Sequence, residues 1–549
     1  MDANVSNNVL QLFKGVPWHP SIGNDPEKIA KAIVTMKSAL FADDGTPKVL
    51  TGEYLQKTYG GPHGQMQKAF TQPGSATSGL AQYDLEQGAR LLYPVTTIFR
   101  NQIPRVTGGT GIQSNWRALT AINPSNINIG LSEGHRGPAM AQTVVDKTAP
   151  FRTSGLDNFV TEQAYLAAVT FEDLMALAAT TTLQGTMEGE ERLDIGGNSS
   201  LLLGTAATPA GTAVLTGGTL ADGSTYSVIV VALTYMGMQT STFPTVTGTG
   251  AAAVPAGGLV QLPYTRSNLD GSTDLIQGFS GIQSAASGAI NVSGGTNHAS
   301  ITATVAKTNG AIGYAWYAGL TAGSEKLVAI TGYPAVTITS LNSTGQAATA
   351  LPATDTSTNT LNYDGLLTQI LAPGSGSYVA DLGGAALTSA GAGSGQITEW
   401  NNALISMYNN FRLVPTDIYM NVKDMLAAAA IVLTGNTNMA PFFLGSSSEG
   451  GLNASTVLKR YVNPIGFGNP FLDVHVHPFI PAGTIIFYSR TNPYPLSNVP
   501  NIIRKLCRRD YWQVDWPVVT MQRTLGVYFD AVLQMYFPPA YGVITGVKS

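Results

Sequence analysis

An α+β fold interrupted by an all-β sandwich is what this 549-residue sequence predicts, on three observations. Helical stripes with start signals lie on both sides of the middle of the chain, at Thr170-Phe-Glu-Asp173 and from Ile397 to Asn410. Between them, from Leu201 to Thr360, the composition shifts: Arg266, Lys307 and Lys326 are the basic residues, Asp222, Asp270, Asp274, Glu325 and Asp355 the acidic ones. Short alternating runs such as Tyr226-Ser-Val-Ile-Val-Val-Ala-Leu233 and Val336-Thr-Ile-Thr-Ser-Leu341, set between Gly/Ser/Asn turns, read there as sandwich strands. The mixed pattern resumes after 360, so the flanks read as halves of one region and the middle as an insertion. The length calls for roughly two to four domains.

Taken in order, residues 1–90 read as an extended arm with one helix. Asp25-Pro26-Glu27 supplies its start, and Ile29, Ile33, Met36 and Leu40 make its apolar stripe. Residues 91–200 open with a strand-like run, Tyr93 to Val106. An excursion follows over about 108–140, a two-stranded ribbon carrying Trp116 and Ile127-Asn-Ile129. The chain returns through Gln142–Thr170 to a helix over about 171–194, with Phe171, Leu174, Leu177, Ala178 and Thr181 on one face and Gly196-Gly197 at its end. In the 201–360 sandwich, the Gly/Ser-rich stretch 245–310 is long enough for a second small sandwich or an elaborated hairpin. Residues 361–549 carry the 397–410 helix, a buried strand after Pro415, an Ala-rich helix from Val422 to Leu433, and strands at 471–478, 484–489, 511–520 and 526–537.

Charged residues are 11% of the chain, against about 25% in an ordinary soluble protein. Few groups therefore keep copies apart, which suits a protein that buries itself against itself. A net charge of −4 argues against a dedicated nucleic-acid binder. The lone Cys507 excludes a disulfide framework and is expected to be a small buried side chain. No secretory signal and no run of 18 apolar residues is expected.

No G-x-S-x-G, H-E-x-x-H or P-loop pattern occurs, and Gly108-Gly-Thr-Gly111 leads into no helix, so no enzyme and no cofactor is expected. Asp473, His475 and His477 alternate along one strand and could offer two imidazoles and a carboxylate to a metal. One strand alone rarely closes such a site, and a hydrogen-bonded strand face or a subunit contact is the favoured reading. The basic cluster Arg504, Lys505, Arg508 and Arg509 is expected to pair with Glu188, Glu190, Glu191 and Asp194, within the chain or across subunits, rather than with DNA phosphates. These basic residues, with Glu188, Glu190, Glu191, Trp116, Arg117 and Arg136, are the candidate intersubunit contacts.

The order arm, excursion, long helix, then helix plus Val414-Pro415-Thr416-Asp417, Asn469-Pro-Phe-Leu-Asp-Val474, Ile480-Pro-Ala-Gly-Thr-Ile-Ile486 and the closing run Gly526 to Tyr536 resembles the major capsid proteins of tailed bacteriophages. The resemblance spans about two thirds of the chain. It implies the Hong Kong 97-type fold: N-arm, extended loop (about 108–140), spine helix (about 171–194), peripheral and axial domains. The insert, through Tyr226, Val230, Ala232, Gly313 to Gly319 and Val336 to Leu341, resembles a fibronectin type III or immunoglobulin-like domain.

The implied function is self-assembly into hexamers and pentamers of an icosahedral shell around double-stranded DNA, in a virion assembled in the host bacterial cytoplasm. The implied partners are further copies, a scaffolding protein, a portal and a cement or decoration protein, with non-specific proximity to DNA and no membrane. Some such capsids cross-link a loop lysine to a neighbour. The 108–140 loop has Arg117 and Arg136 but no lysine, and guanidinium is a poor nucleophile, so no cross-link is expected. An encapsulin-like compartment shell is the nearest alternative. An adhesin with an immunoglobulin-like module, or a carbohydrate-active enzyme with a fibronectin-like one, is more distant.

Overall fold

The structure, a computed structural model, describes residues 93–122, 128–169, 172–241, 258–294, 296–391, 395–434, 458–492, 494, 498–518 and 520–548. All belong to the compact unit Arg90–Ser549, and the expected 1–90 arm with its helix lies outside the described residues.

Along the chain come α1 (Ile98–Gln102), β1 (Arg105–Thr107), β2 (Gln113–Ile122), β3 (Gln142–Pro150), β4 (Arg152–Thr161), α2 (Glu162–Ala168) and α3 (Leu174–Gly196). Next are β5 (Ala210–Val214), β6 (Thr225–Leu233), α4 (Tyr235–Thr240), β7 (Tyr264–Ser267), β8 (Thr273–Ile276), β9 (Ile290–Asn291), β10 (Ser300–Thr304), β11 (Gly313–Gly319), β12 (Lys326–Thr331) and β13 (Ala335–Ile338). The rest are α5 (Leu366–Leu371), β14 (Tyr378–Asp381), α6 (Thr398–Phe411), β15 (Asp417–Met420), α7 (Val422–Thr434), β16 (Arg460–Val462), β17 (Phe471–Val476), β18 (Ile485–Tyr488), β19 (Ile503–Asp515), β20 (Gln522–Met535) and β21 (Gly542–Thr545).

Two sheets and the long helix α3 make the body. The first sheet runs β1-β19-β20-β4 and is dominated by the β19–β20 hairpin, which pairs from Ile503 with Met535 to Asp515 with Leu525. The N-terminal half of α3 packs on it through Ala178 against Val160 and Leu525. The second, mixed sheet runs β14-β21-β18-β15-β17-β16 and is covered by α6 and α7. Trp400, Leu404 and Met407 of α6 and Met425 and Ala428 of α7 enter one core with Ile503, Phe529 and Leu533 of the first sheet. α6 stops where Arg412 turns left-handed, at φ 55°, just before Pro415 forbids further helix.

Seven of the nine described strands between 210 and 338 form two facing sheets, β13-β10-β5 and β12-β11-β6-β9. Tyr226, Val230, Ala232, Tyr314, Trp316, Ala318, Val336 and Ile338 meet between them, as the alternation of each run requires. The second sheet is buried on its other face too, by Val260, Ala348 and Leu351 from flanking coil, so β6 and β11 read as nearly unbroken apolar runs. The 245–310 stretch contains the β7–β8 hairpin. The chain leaves and re-enters the body at adjacent points: Asn359 N donates to Asn198 O (2.8 Å), and Gly365 N to Gly197 O (2.8 Å).

Three local expectations need correction. Tyr93–Val106 is mostly not strand, because Ile98–Gln102 is a helix whose Phe99 and Arg100 N–H groups are held by the distant Glu191 carboxylate. α3 begins at Leu174 rather than 171, with the Asp173 side chain accepting from the Met175 and Ala176 N–H groups. Thr170 and Phe171 lie outside the described residues. β19 begins at Ile503 rather than 511, so the basic cluster lies within a strand.

Candidate assembly surfaces and the buried charge cluster

The apolar stripe of α3 does not continue into its second half. Glu190, Glu191 and Asp194 face inward there, with side chains fully buried. Glu191 accepts from Phe99 N (2.8 Å), Arg100 N (2.7 Å) and His477 Nε2 (2.8 Å). His477 Nδ1 in turn accepts from Phe479 N (3.1 Å), so the neutral ring carries its proton on Nε2 and donates it to Glu191.

Glu190 meets Lys505 Nζ (2.5 Å), Arg100 Nε (3.0 Å), Arg105 and the Tyr511 hydroxyl. Burial pushes its carboxyl up, but the charges of Lys505 and Arg105 outweigh that and hold it below the ordinary range. Asp194 accepts from Tyr363 OH (2.7 Å) and also faces Lys505 (2.5 Å). Burial pushes its carboxyl upward, Lys505 offsets only part, and Glu190 adds to the rise.

The expected pairing of Lys505 with Glu190 and Asp194 is therefore present inside one chain. Lys505, Glu190 and Glu191 are too buried to reach a neighbour, which removes them as intersubunit contacts. Glu188 is likewise engaged within the chain, by Arg192 (2.8 Å) and Tyr93 OH (3.0 Å). Strand alternation and irregularities after Cys507 put the other basic residues on different surroundings. Arg504 donates to Gln534 Oε1 (2.7 Å) and lies over Tyr536. Arg508 pairs with Asp530 and donates to Gly111 O (2.8 Å). Arg509 is exposed over Trp512, which stacks on Tyr528.

The excursion is a two-stranded antiparallel ribbon, β2 with β3, displaced toward the C-terminus of the expected 108–140 span. It is apolar and open to solvent: Ile112 is 81% exposed, Ile122 64%, Met140 58% and Leu119 51%. Leu119 and Val144 are cross-strand partners and both exposed. Trp116 does not project outward, because its Nε1 donates to Met535 O (3.2 Å) and its ring meets Tyr536 edge-on. Arg117 pairs with Asp146 in solvent, and Arg136 is exposed. The displacement puts Lys147 on the ribbon, where burial pushes its ammonium down to about 8. Lys147 therefore lies on the arm, which the expected 108–140 bounds leave without a lysine.

Asp473, His475 and His477 do not converge. His477 lies past the end of β17 and turns to Glu191, while His475 Nε2 meets Asp417 Oδ1 (2.9 Å) on the adjacent β15. Asp417, Asp473 and His475 are close enough to share an ion. However, Arg490 already faces Asp417, and Arg460 faces Asp473 (3.1 Å). Burial pushes the Asp417 carboxyl up, but hydrogen bonds from His475 and Thr416 and the Arg490 charge outweigh it and hold it low. Carboxylates so matched by guanidinium groups do not fit a second cation. Asp417, Tyr363, Tyr511 and Arg105 escaped sequence reasoning because their partners lie at least 50 residues away, and only the pattern of acids on α3 hinted at buried cations.

No family model and no curated protein matches the chain. Among solved structures it aligns with the capsid of an empty GTA particle at 9% identity, over 86% of this chain and 98% of that one, with a TM-score of 0.37. It aligns with the capsid of Myoviridae phage XM1 at 8% identity, over 86% and 100%, with a TM-score of 0.35. The corresponding values for Mycobacterium phage Bobi are 9%, 84%, 95% and 0.35. No described helix is long and apolar enough to cross a membrane.

Proposed function

We propose that this chain is the major capsid protein of a tailed phage, with a structural and not an enzymatic role. Copies form the hexamers and pentamers of an icosahedral shell around double-stranded DNA. The observation that carries this reading is the ribbon: Ile112, Leu119, Ile122, Met140, Val144 and Val145 stand exposed on a hairpin that one chain leaves uncovered. Leu119 and Val144 are cross-strand partners and make a shared exposed apolar surface, which marks an interaction site, and a chain with so few charges offers little to repel its own copies.

In this reading the fold is of the Hong Kong 97 type. α3 on the β19–β20 sheet is the peripheral domain, the six-stranded sheet with α6 and α7 is the axial domain, and the two-sheet module is an immunoglobulin-like insertion. The ribbon lies on a neighbouring copy, and repeated heterologous contacts close into rings. Scaffolding, portal and decoration proteins are the partners that such a shell calls for.

The test is electron microscopy of the purified full chain, alone and with its neighbouring genes, beside the double variant Leu119→Asp/Val144→Asp. Wild type is expected to form polyhedral shells or rings. The variant is expected to keep its circular dichroism spectrum and melting temperature and remain unassembled. A wild type that stays monomeric under every condition, or a variant that assembles as wild type does, overturns the reading.

A further inference from the structure

We propose that the C-terminal end of α3 is a proton-operated joint: Asp194 holds a proton while the helix end and the two crossings into the β module are docked, and loses it when they part. The inference goes beyond the proposed function and does not rest on it.

The charge balance around the helix end motivates it. Among the described residues, three cations, Arg100, Arg105 and Lys505, face four carboxylates, the buried Glu190, Glu191 and Asp194 and the 40% exposed Asp510. His477 adds no charge, since its Nδ1 accepts the Phe479 N–H. One carboxylate is therefore in excess. Glu191 has two backbone N–H donors as well as His477, and Glu190 has three cations and a phenol.

Asp194 is the worst provided. Its Oδ1 shares Lys505 with Glu190 and takes the Tyr363 hydroxyl, while its buried Oδ2 has no partner among the described residues. It also sits in the last turn of α3, where the helix dipole opposes negative charge. A buried carboxylate with a bare oxygen is costly, and a carboxylic acid is far less so. The phenol of Tyr488 on β18 also faces Asp194 and is held protonated by burial.

The position gives the proton a mechanical consequence. Immediately after Asp194, Gly196 lies so close to the Tyr235 ring that a Cβ would sit 2.2 Å from it. The Gly197 carbonyl accepts from Gly365 N and from Thr368 Oγ1 (2.6 Å), and Asn198 O accepts from Asn359 N. The Tyr363–Asp194 bond ties the returning segment to the helix end. Ionisation places a second negative charge beside Glu190 in a dry site, and opening the joint relieves it by admitting water. The sign follows: a carboxyl raised above its unfolded value near 4 stabilises the docked state fully below that value, and the contribution is lost as pH rises through the raised value.

The experiment is native-state hydrogen exchange on the full chain from pH 4 to 8, with rates divided by the intrinsic amide rates. Protection at Gly197 and Gly365 is expected to fall with rising pH by up to about tenfold per unit, the slope of one linked proton, while Trp316 in the module core holds steady. Asp194→Asn is expected to flatten the Gly197 and Gly365 profiles. Equal profiles at all three amides in wild type overturn the proposal, and this outcome is readable even if the variant does not fold. Protection that rises with pH also overturns it.

Discussion

The β module and the body are held together by opposite means. In the module, eight charged residues lie among 160, and its core is apolar side chains between two sheets. Its buried polar groups are mostly hydroxyls with backbone partners, such as Ser284 and Ser287 accepting from Val230 N and Val228 N at 3.0 Å. In the body, α3 drives three carboxylates into the interior, where they bind together α1, β1, β19, the turn after β17 and the segment before α5. The lesson is that the module's stability is spread over area and local pattern. The body's joint depends on a few long-range ions whose removal is costly, because a buried charge without its partner has nowhere to go.

Lys505→Met gives the widest break in that comparison. It leaves Glu190 and Asp194 facing each other without their shared cation, and about 3–5 kcal/mol of stability is expected to be lost. Thermal unfolding should show the melting temperature falling. A wild-type melting temperature in Lys505→Met would refute the account of the joint.

Ile301→Val in the module, at a fully buried site on β10, removes one methylene and is expected to cost about 0.5–1.5 kcal/mol. Chemical denaturation should report that shift with no change in its pH dependence, because no ion is involved. A pH-dependent effect there would blur the contrast between the regions. Arg117→Ala on the ribbon breaks an ion pair whose partners are 72% and 67% exposed, and no measurable change in the melting temperature of the unassembled chain is expected. A clear drop would mean that the ribbon's charges hold the isolated fold.

Legibility followed the same division. In the module, Val336 and Ile338 pack where the alternation of β13 puts them, whereas β6 and β11 are apolar on both faces and their pattern shows burial but not which face meets the other sheet. α6 and α7 were readable from stripes and stops of their own. The ribbon was readable as a hairpin but not in its limits, because β3 continues to Pro150 through polar residues exposed along one side. The site fared less well. Lys505 with Glu190 could be proposed as a pairing of opposite charges, yet nothing local showed that both would be buried. Trp116 is a candidate contact by its place on the excursion, and nothing local shows where its indole bonds. Within the chain it donates to Met535 O, 419 residues distant.

By itself, then, the sequence determined the main helices and strands apart from Tyr93–Val106 and the start of β19, the near-neutral module between two mixed regions, and a composition suited to self-contact. These rest on interactions within a few residues of one another, which spacing and caps make visible. Only the tertiary structure decided that the acids of α3 turn inward, that the basic strand is split between core and surface, and that Asp194 is left with a bare oxygen. Those outcomes depend on which distant groups arrive at the same dry point, and electrostatics in a low-dielectric interior is set by that arrival and not by order along the chain.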